Sequence, residues 1–116
     1  MIDKLYEMHA RMCRVFTSAK RLEVLNLLRN RELSVGELME RAGISQANLS
    51  QHLGVLRNEG IVQTRRKGVK IYYSLTSPKI SEAFDKMREV LLEKLNRTAK
   101  LSVKARAVKT LTRRAR

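Results

Sequence analysis

Residues 34–60 read SVGELMERAGISQANLSQHLGVLRNEG. Ser34 and Glu37 stand at capping-box spacing: the serine oxygen accepts a backbone N–H one turn on, and the glutamate reaches back to the serine's own N–H. The helix they open turns Val35, Leu38, Met39 and Ala42 inward, and Gly43 stops it because glycine takes the left-handed conformation at least cost. Ile44 follows as a buried turn residue. Ser45 then caps a second helix, in which Leu49, Leu53 and Leu56 form an apolar stripe and Gly60 is the stop. Two capped helices across so short a turn make a helix-turn-helix.

The second helix of this pair opens on Ser45, Gln46, Ala47, Asn48, Leu49, Ser50, Gln51 and His52. With Leu49 and Leu53 inward, Gln46, Ala47, Ser50 and Gln51 point away from the core, while Asn48 and His52 lie at the flanks. A solvated helix face offers the same residue types, but short polar residues in place of Glu and Lys over the first two turns are poor helix formers, which favours a use for them. The set suits the DNA major groove. Gln and Asn pair with adenine through two hydrogen bonds, Ser serves a base edge or a phosphate, and Ala meets a thymine methyl.

Beyond Gly60 the apolar period changes to two. Ile61-Val62-Gln63-Thr64 is rich in strand formers, and Val69, Ile71, Tyr73 and Leu75 alternate with Lys70, Tyr72 and Ser74, which predicts a hairpin turning at Lys67-Gly68. Its tip carries Arg65, Arg66, Lys67 and Lys70, suited to phosphates or the minor groove. Of Tyr72 and Tyr73, one is expected in the core and one partly exposed. Ser77-Pro78 opens a last helix with Ile80, Phe84, Met87, Leu91 and Leu95 on one face. Upstream, a helix over 2–16 carries Leu5, Met8, Met12, Val15 and Phe16. Thr17 or Ser18 caps the next, with Leu22, Leu25 and Leu28 inward before the polar break Arg29-Asn30-Arg31. The fold class is mainly α with a β-hairpin wing, in the order α-α-α-α-β-β-α. Met8, Met12, Met39 and Met87 lie on apolar stripes and read as core filling rather than thioether ligands.

The 116 residues carry 25 Lys+Arg against 11 Asp+Glu, a net charge of +14, and 43% of them are apolar. That is one small, basic domain, which buries only about two thirds of its unfolded surface and would gain from a shared dimer core. The charge is concentrated. Residues 61–75 hold four basic and no acidic side chains, and residues 96–116 hold eight and none. Two such sites favour a polyanion. Residues 1–95 read as a DNA-binding and dimerisation domain, and 96–116 as a basic tail that adds phosphate contacts.

No apolar run long enough to span a membrane and no signal-peptide pattern occurs, so a cytoplasmic protein with no membrane partner is expected. Cys13 is the single cysteine, which excludes an intrachain disulfide and suits a reducing compartment. With two histidines, no Gly-rich phosphate loop, no nucleophile-base-orienter set, and a single plausible pair, His9 with Cys13, on a dimer helix, no catalytic residue and no cofactor are assigned, and the chain does not read as an enzyme.

Residues 17–76 resemble the ArsR/SmtB family of winged-helix transcriptional repressors. The resemblance rests on Glu32 to Leu38, Ile44-Ser45-Gln46, Ser50-Gln51-His52-Leu53, Leu56-Arg57, Glu59-Gly60-Ile61-Val62, and Gly68 with Ile71 to Leu75. It implies a homodimer that binds an imperfect palindrome in double-stranded DNA and represses transcription until a chemical signal releases it. Helices 2–16 and 78–95 stand where the family dimerises, which makes Leu5, Met12, Phe84, Met87, Leu91 and Leu95 interface residues.

The family's familiar sensor sites do not match. Where arsenic and lead sensors carry Cys-Val-Cys this chain has Ser34 and Gly36, which cannot replace thiolates on a soft metal. The last helix has Glu82, Asp85, Glu89 and Glu93 but no histidine, and its carboxylates pair with nearby Lys and Arg. No metal site is expected there, and no effector is named by the sequence. His9 and Cys13, four apart on the first helix, could share a metal or form a redox thiol. Packing at the edge of the Met12/Phe16 stripe is the plainer reading. The competing function class is a nonspecific architectural DNA binder that uses the basic wing and tail alone.

Overall fold

The computed structural model describes residues 1–98. Within them run α1 (Ile2–Val15), α2 (Ala19–Leu27), β1 (Leu33–Ser34), α3 (Val35–Ala42), α4 (Gln46–Asn58), β2 (Val62–Lys67), β3 (Lys70–Leu75) and α5 (Pro78–Thr98). The chain forms two compact units, Met1–Pro78 and the part that begins at Lys79. The tail from residue 99 lies outside the described residues.

Ser18 is the cap of α2, its Oγ accepting the Arg21 backbone N–H at 3.3 Å. The buried residues of α2 and the turn after it are Val24, Leu25 and Leu28, while Leu22 is half-buried. The inward stripe is thus wider than the expected three-residue repeat, and Val24 takes the place predicted for Leu22. Beyond α2 the polar break turns the chain at Asn30, whose φ of 54° is the one left-handed non-glycine conformation among the described residues. Asparagine tolerates this better than most side chains.

That turn delivers a strand absent from the predicted order. Leu33 pairs with Tyr73 and Ser34 with Tyr72, which makes a three-stranded antiparallel sheet in the order β1-β3-β2. Two residues show no periodicity of their own, and β1 exists only through its partner. Ser34 then serves α3 as well. Its Oγ accepts the Glu37 N–H at 3.2 Å and its own N–H donates to Glu37 Oε1 at 3.0 Å. These bonds hold the Glu37 carboxyl below the usual carboxylate range. Ser34→Ala is expected to lower stability by about 1 kcal/mol, read as an earlier urea midpoint, because it removes the cap of α3. An unchanged midpoint would show the box to be dispensable.

α3 ends on Gly43 at φ 64°, whose N–H returns to Met39 O at 2.9 Å. Ile44 is half-buried rather than buried, and the turn leads straight to Ser45, whose Oγ accepts the Asn48 N–H at 3.2 Å. Leu49, Leu53 and Leu56 of α4 meet a core that also holds Leu25, Leu28, Leu38, Ile61 and Val62, all essentially inaccessible.

The hairpin runs in register from Val62 opposite Leu75 to Lys67 opposite Lys70. Its two-residue turn is therefore Gly68-Val69, one position later than predicted. Gly68 lies at φ 62° and Val69 is not left-handed, the φ signs of a type II′ turn with glycine first. Val69 is accordingly at the tip and 98% exposed, and Ile71 next along the expected alternation is exposed as well. Tyr72 and Tyr73 are both half-buried, because β3 is covered on two edges and only partly on its faces.

The methionines correct the core reading too. Met8, Met12 and Met87 are exposed and Met39 is half-buried. The stripes are real, but Leu5, Met8 and Met12 of α1 and Met87 and Leu91 of α5 face outward on a single chain.

Candidate nucleic-acid interface

α4 is held on one side by three leucines and presents the other. Ser45, Gln46, Ala47, Asn48, Ser50 and Gln51 are all exposed, and Ser45 Oγ is committed to the cap. Caps and leucines together explain how a segment of poor helix formers stays helical: tertiary burial outweighs propensity. His52 stands apart. It is half-buried, and its Nδ1 accepts Nε–H of Arg21 at 3.0 Å. Burial, then the positive charges of Arg21 and Lys20, hold the imidazole pKa below its ordinary value of 6.5.

Arg65, Arg66, Lys67 and Lys70 are all exposed on the wing, yet they are not equivalent. Arg65 Nε donates to Glu32 Oε2 at 3.1 Å and its Nη2 to Oε1 of the same carboxylate, a two-pronged pair. Its guanidinium also lies over the Tyr72 ring, 5.4 Å from the centroid. The arginine holds Glu32 below the usual carboxylate range, and Glu32 raises the arginine in turn. Arg65 thus ties β2 to the segment before β1. Arg66, Lys67 and Lys70 form no ion pair among the described residues. Lys67 and Lys70 are direct cross-strand partners, and like charges so placed repel until an anion lies between them.

Arg21 and Glu32 are absent from the predicted site. They lie 31 and 33 residues from His52 and Arg65, and no spacing pattern connects such pairs. His9 and Cys13 are exposed on α1, and no group of three or more possible metal ligands occurs among the described residues. Of the residues expected at a dimer interface, Leu5, Met12, Met87 and Leu91 are exposed, and Phe84 and Leu95 half-buried. No helix among the described residues is long and apolar enough to cross a membrane.

A family model described as bacterial regulatory protein, arsR family, matches residues 18–64, from the cap of α2 into β2. Over 95 residues, 81% of this chain and 83% of the relative, the sequence is 39% identical to the uncharacterized HTH-type transcriptional regulator Rv0081 of Mycobacterium tuberculosis. The chain belongs to the ArsR family. Among solved structures, the crystal structure of Rv0081 matches at a TM-score of 0.75 and 38% identity, covering 82% of this chain and 96% of that one. The homodimeric winged helix-turn-helix DNA-binding domain Mb0332 of Mycobacterium bovis matches at 0.74 and 26%, covering 82% and 88%. By sequence, the biofilm growth-associated repressor of Xylella fastidiosa is 44% identical over 73 residues, 63% of this chain and 64% of that protein. In ArsR-family terms, α3 and α4 are the helix-turn-helix of a transcriptional regulator, and β2 and β3 its wing.

Proposed function

We propose that this ArsR-family chain is a homodimeric, sequence-specific repressor, working in the cytoplasm, that reads an imperfect palindrome in double-stranded DNA. The observation that carries the proposal is the row Gln46, Ala47, Ser50 and Gln51, exposed on a helix whose opposite face is locked into the core. Arg66, Lys67 and Lys70 grip phosphates or the minor groove beside it. The exposed apolar residues Leu5 and Met12 of α1, and Met87 and Leu91 of α5, are what a second copy covers, as the homodimeric relative Mb0332 supports. Repression follows from a dimer seated over a promoter, and a named repressor among the relatives agrees.

Selection of bound sites from random duplex DNA at about physiological salt tests this reading, since nonspecific attraction is then partly screened. A palindrome with half-sites about one helical turn apart is expected. Gln46→Ala and Gln51→Ala should each lose roughly 1–3 kcal/mol of discrimination between bases. Arg66→Ala should instead weaken all sequences alike and reduce the salt slope by about one per protomer, whereas Arg65→Ala, already neutralised by Glu32, should change the slope less. The second reading, an architectural binder, is favoured by the charge of the wing. Strong, salt-sensitive binding with no enriched sequence would establish it and remove the first.

A further inference from the structure

Arg21 connects three helices. Its Nη1 donates to the carbonyl oxygen of Val15 at the end of α1, at 3.2 Å. Its backbone N–H is fixed on the Ser18 cap, and its Nε–H points to His52 Nδ1 on α4. An arginine Nε–H only donates and is never given up, so Nδ1 is the acceptor and the ring's proton resides on Nε2. That nitrogen has no protein partner. No buried side-chain nitrogen or oxygen among the described residues lacks a partner, so the Nε2–H is open to solvent.

We propose that Arg21 is a positioning residue for DNA recognition, holding His52 as the neutral Nε2–H tautomer so that this N–H is a preset donor to a phosphate oxygen or purine acceptor. The proposal rests on the reading of α4 as the groove helix. It distinguishes His52 from an ordinary histidine near DNA, which binds more tightly once charged. A second proton on His52 removes the acceptor that Arg21 needs and sets imidazolium against guanidinium, so the ring leaves its position.

The charges whose field reaches the ring are Arg21 and Lys20, both of α2 and both opposed to imidazolium. Lys20 is itself engaged by Glu23 Oε1 at 3.1 Å and by the Ala42 carbonyl at 3.0 Å. Glu37, Glu40 and Arg41 of α3, and Arg65, Arg66 and Lys67 of β2, are not among the charges that lower its pKa. The neutral form is therefore the resting state near neutral pH. A DNA phosphate pulls the other way, and the sign of the pH effect decides between them.

The test uses the full chain. Long-range proton–nitrogen spectra of the free protein are expected to show His52 as the Nε2–H tautomer, and Arg21→Gln to mix the two tautomers. Binding to the selected duplex, measured at fixed ionic strength from about pH 8 to about pH 5.5 in a His9→Gln background, should weaken about fivefold or more on acidification. His52→Gln, which offers an acceptor to Arg21 without titrating, should remove the pH effect whatever its affinity at high pH. An Nδ1–H tautomer, a tautomer indifferent to Arg21→Gln, or an affinity that rises on acidification through His52 would overturn the proposal. Binding without sequence preference would defeat the groove-helix reading and with it the DNA role. The spectra would then still decide whether Arg21 sets the tautomer.

Discussion

Leu91→Glu is expected to turn the proposed homodimer into a monomer while leaving each protomer folded. Leu91 is 48% exposed on the single chain, so a glutamate there stays hydrated and costs the isolated fold little. Covering a leucine at an interface contributes roughly 1.5–3 kcal/mol, and a two-fold operator applies the loss twice. The dimer therefore weakens by about 3–6 kcal/mol, two to four decades in Kd. Desolvation of the two carboxylates adds to this. Sedimentation velocity reads the change directly, and circular dichroism melts check that the fold persists. Leu5→Glu, at a residue 63% exposed on α1, should act in the same direction, because α1 carries its own uncovered apolar face. A Leu91→Glu protein that sediments like the parent would remove α5 from the interface.

The elements that the sequence makes legible are those whose signal is local. The Ser34/Glu37 box, the Ser45 cap and the leucine stripe of α4 each lie within a dozen residues and stand where they were read, and the period-two hairpin runs from Val62 to Leu75 with only its turn displaced. The features missed depend on partners far along the chain. β1 needs β3, His52 needs Arg21, and Arg65 needs Glu32. The one-residue error in the turn has a different origin. Val69 fits the alternation of Ile71, Tyr73 and Leu75, but glycine at the first turn position fixes the register and carries Val69 out of the strand. The methionines show the limit of periodicity itself: it finds an apolar face without saying whether the covering surface belongs to the same chain.

The same locality carries into α4, where, on the proposed reading, neighbouring residues should separate stability from base reading. Leu49 is 0% exposed and Ser50, next to it, is exposed. Leu49→Ala leaves a cavity on the core side of α4, and a buried leucine truncated to alanine costs about 2–5 kcal/mol. That is a large part of the roughly 5–15 kcal/mol available to a domain. Urea unfolding should show an earlier midpoint with unchanged slope, compared at one protein concentration because dimer unfolding depends on it. Ser50→Ala should leave that midpoint nearly unmoved, since surface changes usually fall within about 0.5 kcal/mol, and alter discrimination at one base position instead. For Leu49→Ala the expected DNA effect is a smaller binding-competent fraction with the same order of preferred sequences. A changed order would mean that the cavity lets α4 shift in the groove, and the helix would then owe its registration to this leucine as well as to its caps.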